Sequence, residues 1–120
     1  TSSSLMEDLI FSLKVVKHLK SNAVVLSKNN QTIGLGNGQT NRVDALNFAI
    51  KNKNLYFKNK KFVCASDGFF PFTDSIDILN KNGCRVIAQP SGSINDNKII
   101  SFCIKNKISL YFVKNRLFKH

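Results

Sequence analysis

Phe62-Val63-Cys64-Ala65-Ser66-Asp67-Gly68-Phe69-Phe70-Pro71-Phe72-Thr73-Asp74 is the stretch on which the reading of the fold turns. Phe62 to Ala65 is a short apolar run bounded by lysines on one side and polar residues on the other, the signature of a buried strand. Thr73-Asp74 opens a helix that carries Ile76 and Leu79 inward and stops at Gly83. Between strand and helix, three aromatic rings and a rigid proline follow an aspartate. Rings can cover the faces of a flat ligand while an acid or a backbone group fixes its edge. The same rings can instead pack a core loop, and taken alone the stretch leaves both readings open.

Working outward, the same alternation recurs. Ser4-Leu5-Met6-Glu7 has the form of a capping box. Leu5, Leu9, Leu13, Val16 and Leu19 then repeat at three- and four-residue spacing, predicting a helix over about 5–20. Ala23-Val24-Val25-Leu26 reads as a buried strand, Lys28 to Gln31 as a turn, and Thr32 to Leu35 as a strand paired back on it. Gly34-Leu35-Gly36-Asn37-Gly38 resembles half a phosphate-cradling loop, but its spacing fits neither GxGxxG nor GxxxxGK[ST]. Asn41 caps a helix with Val43, Leu46 and Ile50 expected on its inner face, which puts Arg42 in its first turn. An arginine at a helix start beside glycines suits a phosphate or carboxylate. Beyond Gly83, 85–89 is a strand, Pro90-Ser91-Gly92-Ser93 a polar loop, Asn95-Asp96 the start of a helix carrying Ile99, Ile100, Cys103 and Ile104, and 109–112 the last strand.

The order α-β-β-α-β-α-β-α-β predicts an α/β three-layer sandwich with a mixed, mostly parallel sheet, of the cytidine-deaminase-like kind. Residues 1–120 read as a single domain. A ligand is expected beyond the C-terminal ends of the strands, where 66–74, 90–94 and 115–120 fall. That placement favours a site wall for the aromatic stretch.

The 120 residues carry a net charge of +11 from 18 basic and 7 acidic side chains, which points to anionic partners such as nucleic acid or phosphate ligands. Fifteen of the basic residues are lysines, and asparagine is equally frequent at 15, a pattern that compositional drift in an AT-rich coding sequence also produces. The densest cluster, Lys51 to Lys53 and Lys58 to Lys61, reads as a solvated loop. Cys64, Cys84 and Cys103 lie in apolar surroundings with no CxxC pair, the usage of a reducing, cytosolic compartment. No apolar run reaches the roughly 18 residues of a membrane span. The N-terminus lacks the pattern of a signal peptide and an initiator methionine, so the chain is expected to begin inside a longer one.

Catalytic chemistry is sparse. The H-x-E and P-C-x-x-C motifs of zinc deaminases are absent, which excludes that reaction. The two histidines, His18 and His120, form no triad, and no two carboxylates are placed for acid/base work. A site able to bind a flat anion is legible; a catalyst is not.

Five motifs in order nevertheless make a family visible: Lys17-His18-Leu19-Lys20-Ser21-Asn22-Ala23, Gly34 to Asp44 (GLGNGQTNRVD), Ser66 to Phe72 (SDGFFPF), Pro90-Ser91-Gly92-Ser93, and Asn115-Arg116-Leu117-Phe118-Lys119-His120. Together, over essentially the whole chain, they closely resemble the C-terminal half of the transformylase region in the bifunctional AICAR transformylase/IMP cyclohydrolase proteins. The resemblance implies formyl transfer from the co-substrate 10-formyltetrahydrofolate to AICAR in purine (IMP) biosynthesis. It further implies AICAR contacts at Asn22, Arg42, Phe69 and Arg116, and folate contacts at Val43, Asp74, Ser93 and Ile94. A potassium ion is implied near Asp67 and His120. The family's catalytic Lys-His pair lies in the first half of that region, and Lys17-His18 is not that pair, so no catalytic residue is expected in this chain and the chain is expected to be inactive alone. Implied partners are the missing N-terminal half, the cyclohydrolase domain and a second copy in a homodimer, with no membrane and no nucleic acid. The alternative is a basic α/β binding module for nucleic acid or phosphate ligands without catalysis.

Overall fold

The computed structural model describes residues 2–58 and 61–114. Its elements run α1 (Ser3–Val16), β1 (Val24–Lys28), β2 (Gln31–Gly36), α2 (Arg42–Tyr56), β3 (Phe62–Ser66), α3 (Thr73–Lys81), β4 (Cys84–Pro90), α4 (Asp96–Lys105) and β5 (Ser109–Val113), the order expected from the hydrophobic periods. They form one five-stranded sheet in the order β2-β1-β3-β4-β5. β1 runs antiparallel to both β2 and β3, while β3-β4 and β4-β5 are parallel. Four strands therefore point one way and β1 alone points back.

Alternation along the strands sorts the core into two layers. Val24, Leu26, Phe62, Cys64 and Ile87 face α2, α3 and α4, meeting Leu46, Ala49, Ile76, Leu79, Ile99 and Cys103. On the other face, Val63, Val86 and Ala88 meet Leu9, and Val25 and Ala65 meet Val16, all from α1. One helix thus covers one face and three cover the other.

Local chemistry sets the joints. Asn29 and Asn30 both take positive φ, at 54° and 55°, in the tight β1–β2 turn that asparagine tolerates. Asp8 of α1 reaches across to accept their backbone N–H groups at 3.1 and 2.8 Å. Gly34 and Gly36 lie inside β2, where a Cβ would collide with the Ala49 and Ala45 carbonyls of α2. These glycines serve close helix–sheet packing, not a phosphate loop; only Gly38, at φ 65°, is a turn glycine. Arg85 ties two helix ends together, donating to Asn80 Oδ1 at 2.7 Å and to the Asn106 carbonyl at 3.3 Å.

Several local expectations shift. The N-cap of α1 is Ser2, which accepts from Leu5 N, so the box starting at Ser4 lies inside the helix, and the helix ends at Val16 rather than near 20. Val43 is 39% exposed and does not face the core, because the inward stripe of α2 is Ala45, Leu46, Ala49, Ile50 and Lys53. Ile104 likewise points outward at 73% exposure. Lys51 to Lys53 belong to α2 rather than to a loop, and Lys53 is buried. Asn41 caps α2 as expected, its side chain accepting from Asp44 N at 2.8 Å.

Candidate functional site

Strand direction collects the candidate residues at one edge of the sheet. Val24 pairs with Gly36 on one side and with Ser66 on the other. The start of β1 therefore sits beside the ends of β2 and β3. Segments 20–23, 37–43, 66–74 and 91–95 all leave the sheet at this edge, and the antiparallel strand delivers Asn22 to it from the opposite chain direction.

Asp67 organises the first half of the edge. Its carboxylate pairs with the Arg42 guanidinium and accepts from Ala23 N at 3.0 Å and from Ser21 Oγ at 2.6 Å. Arg42 also donates to the Ala23 carbonyl at 3.3 Å. Gly68 lets the guanidinium lie against the loop, since a Cβ there would collide with it. Asn22 and Gln39 exchange two backbone hydrogen bonds, at 3.1 and 3.3 Å, and Asn22 Nδ2 donates to the Gln39 carbonyl at 3.0 Å. Arg42 and Asp67 thus form one polar cluster with Ser21 and Ala23, which flank Asn22 in the chain, and Phe69 lies two residues along the loop from Asp67.

The phenylalanines divide. Phe70 is fully buried, and its N–H donates to Gln89 Oε1 at 3.2 Å. Phe69 and Phe72 face outward, 39% and 61% exposed. The core reading thus holds for Phe70, while Phe69 and Phe72 are left open to solvent.

The second half of the edge joins the 66–74 loop to the start of α4. Asn95 Nδ2 donates to the Pro71 carbonyl at 2.8 Å, and Ser93 Oγ accepts from Asn95 N at 3.1 Å. Beside them lies a cavity of about 280 Å³ lined by Phe72, Thr73, Asp74, Asn95 and Lys98. Ile94, just before Asn95 in the chain, stands wholly exposed. Asp74 lines this cavity and Ser93 bonds Asn95 of its wall, Val43 lies at the Arg42 end, and Arg116 and His120 fall outside the described residues.

The profile described as AICARFT/IMPCHase bienzyme matches residues 1–52. A bifunctional purine biosynthesis protein PurH from Aquifex aeolicus (strain VF5) is 53% identical over 116 residues, 96% of this chain. The PurH of Buchnera aphidicola subsp. Baizongia pistaciae (strain Bp) is 52% identical over 116 residues, again 96% of this chain. Over nearly its whole length the chain is similar to these bifunctional purine biosynthesis proteins. It spans only 23% of the length of the Aquifex relative and 22% of the Buchnera one, so it matches a segment of those bienzymes. The fold is that of the deaminases: the apo dCMP deaminase of cyanophage S-TIM5 superimposes with a TM-score of 0.61 at 9% identity, over 94% of this chain and all of that one. A deaminase/reductase from Thermotoga maritima gives 0.56 at 14% identity, over 97% of this chain and 36% of that one.

Among the described residues no three His, Cys, Asp or Glu side chains converge to hold an ion. Of the two residues near which a potassium ion is implied, Asp67 pairs with Arg42 and His120 lies outside the described residues. The thiols offer no nucleophile. Burial raises Cys64 well above its ordinary value, with Cys84 adding to the shift and Arg42 opposing it. Burial likewise pushes Cys84 up to about 12 and Cys103 to about 11. Among the described residues no helix is long and apolar enough to cross a membrane.

Sequence reasoning missed three supports of the site: Ser21 and the Ala23 backbone around Asp67, Gln89 beneath Phe70, and Asn95 under Pro71. One signal was available. Gln89 is a polar residue inside a run that is otherwise buried (Val86 to Pro90), and a buried amide must be there to satisfy something.

Proposed function

We propose that this chain is the C-terminal half of an AICAR transformylase region and forms one wall of the site where a formyl group passes from 10-formyltetrahydrofolate to AICAR. The observation that carries the reading is the convergence of Asn22, Arg42 and Asp67 at the sheet edge, in a chain about half identical to PurH proteins. Asp67 holds the Arg42 guanidinium in place before any ligand arrives, which spares a phosphate or carboxamide the ordering of a flexible side chain. With Nδ2 of Asn22 held by Gln39, its carbonyl oxygen is the part of the amide turned over to a donor on the ligand. Phe69 supplies an exposed ring beside them for a flat heterocycle.

The folate side of this reading is the cavity between Phe72, Asp74 and Lys98, with Ser93 and Ile94 just before its lining residue Asn95 in the chain. Phe72 and Ile94 give apolar cover to a ring system, and Lys98 gives a cation for folate carboxylates. Proton removal from the amine is assigned to a group outside these 120 residues, because the resemblance puts the catalytic Lys-His pair in the other half of the transformylase region. The purified chain is therefore expected to give no turnover of AICAR with 10-formyltetrahydrofolate. Calorimetric titration with AICAR tests the binding wall: Asn22→Ala and Phe69→Ala are expected to weaken binding at least tenfold. Unchanged affinity in both variants, or turnover by the chain alone, refutes the assignment.

A further inference from the structure

The opposite edge of the sheet carries a second concavity, away from every residue assigned above. α2 and α3 end here, and β3 and β4 begin here. A cavity of about 520 Å³ opens between them, lined by Lys53, Lys58, Lys61 and Lys81 together with Asn54 and Asn82. Lys53 is the most unusual member: its side chain is 2% exposed, the largest fully buried one among the described residues. Its ammonium donates to the Asn82 carbonyl at 3.1 Å and to Asn54 Oδ1 at 3.3 Å, and stands 5.2 Å from the centroid of the Phe62 ring.

Among the described residues no carboxylate lines this cavity. The one acid in contact with its rim is Asp77, which pairs with Lys81 at 2.9 Å in an exposed i,i+4 bridge. That leaves four ammonium groups against one screened carboxylate and the carbonyl end of α3. A buried charge is unfavourable unless it is paired, and like charges gathered in a concavity repel more strongly than the same charges spread over a surface. An anion in the cavity removes both penalties. Burial also lowers the pKa of Lys53 from its ordinary value, the mark of an ammonium without a full counter-charge.

We propose that this lysine-lined cavity is a binding site for the phosphate chain of a small condensed-phosphate anion, separate from the transformylase wall and independent of that assignment. The size and charge of this open concavity select the ligand class. A hollow of this size holds two or three linked phosphates, whereas nucleic acid binds basic faces that track its backbone over many residues. Lysine point charges on flexible stems suit phosphates that carry charge on several oxygens.

The test titrates the chain at 150 mM salt with sodium tripolyphosphate and, in parallel, with ATP, following backbone amide shifts. Saturable one-to-one binding is expected, with shifts confined to 53–58 and 81–83, for one or both probes. ATP shifts alone identify a nucleotide and tripolyphosphate shifts a free phosphate chain. Lys61→Gln/Lys81→Gln, both exposed positions that leave the fold intact, is expected to weaken binding at least tenfold. Lys14→Gln/Lys17→Gln on α1 removes the same charge elsewhere and is expected to change it less than twofold. Lys53→Met tests the buried position separately. Equal weakening by the two pairs, shifts scattered over the surface, binding only of an oligonucleotide, or no saturation overturns the proposal.

Discussion

Removing the Asp67 carboxylate dissects the polar cluster at the sheet edge most cleanly. The Asp67 side chain is 2% exposed and that of Arg42 14%, so the pair is nearly dry. Asp67→Ala leaves a guanidinium and the Ala23 N–H without their acceptor, and breaking one side of such a pair costs about 3–5 kcal/mol. Asp67→Asn keeps the shape and one oxygen acceptor but loses the charge. Charge-assisted hydrogen bonds contribute about 1.5–3 kcal/mol against about 1 for neutral ones, so this change should cost roughly 1–2 kcal/mol. For a chain of this size 1 kcal/mol moves Tm by roughly 3–5 °C, which puts Asp67→Ala roughly 10–20 °C below wild type. Thermal and urea unfolding of Asp67→Ala, Arg42→Ala and the double variant gives the coupling directly. It is expected at about 1–3 kcal/mol, with unchanged urea m-values. Additivity within about 0.5 kcal/mol, or an Asp67→Ala loss below about 1 kcal/mol, refutes the claim that Asp67 organises this edge.

Gly36→Ala should destabilise by about 3 kcal/mol or prevent folding, because the new Cβ meets the rigid Ala45 backbone, whereas Gly92→Ala meets open space and suffers only the strain of its φ of 118°; urea midpoints of the two variants check the contrast. Asn41→Ala removes the α2 cap bond to Asp44 N and should cost about 1 kcal/mol by the same measurement. The three buried thiols are expected to resist a thiol reagent at pH 8 in the native chain and to react fully in denaturant. Their raised folded values mean the unfolded chain deprotonates first, so stability should fall as pH climbs from about 9 towards 12. A flat stability curve across that window contradicts thiol burial.

Much of this was legible from residue order. Short apolar runs bounded by turn residues placed the strands, a three-to-four-residue period placed the helices, and the Asn41 cap and Gly83 stop were visible as local chemistry. The errors arose where tertiary packing overrides local pattern. Gly34 and Gly36 look like loop glycines until a helix is known to lie on them. Lys53 looks solvated because a lysine in a lysine-rich stretch gives no sign that its stem fills the space under Phe62. Val43 fits an inward helical position by spacing, yet the stripe that meets β2 is rotated toward Ala45 and Ala49. At the site, the resemblance singled out Asn22, Arg42 and Phe69 as ligand contacts. That Asp67 would hold Arg42 could not be read from residues 25 positions apart.

The central claim is that this sheet edge is an AICAR wall. Amide chemical-shift mapping of the chain during titration with AICAR tests it most directly. Saturable shifts concentrated at 20–23, 39–43 and 67–70, and lost in Arg42→Ala, are the predicted result. No shifts at millimolar AICAR, or shifts centred on 53–58 and 81–83 at the far edge, would contradict it.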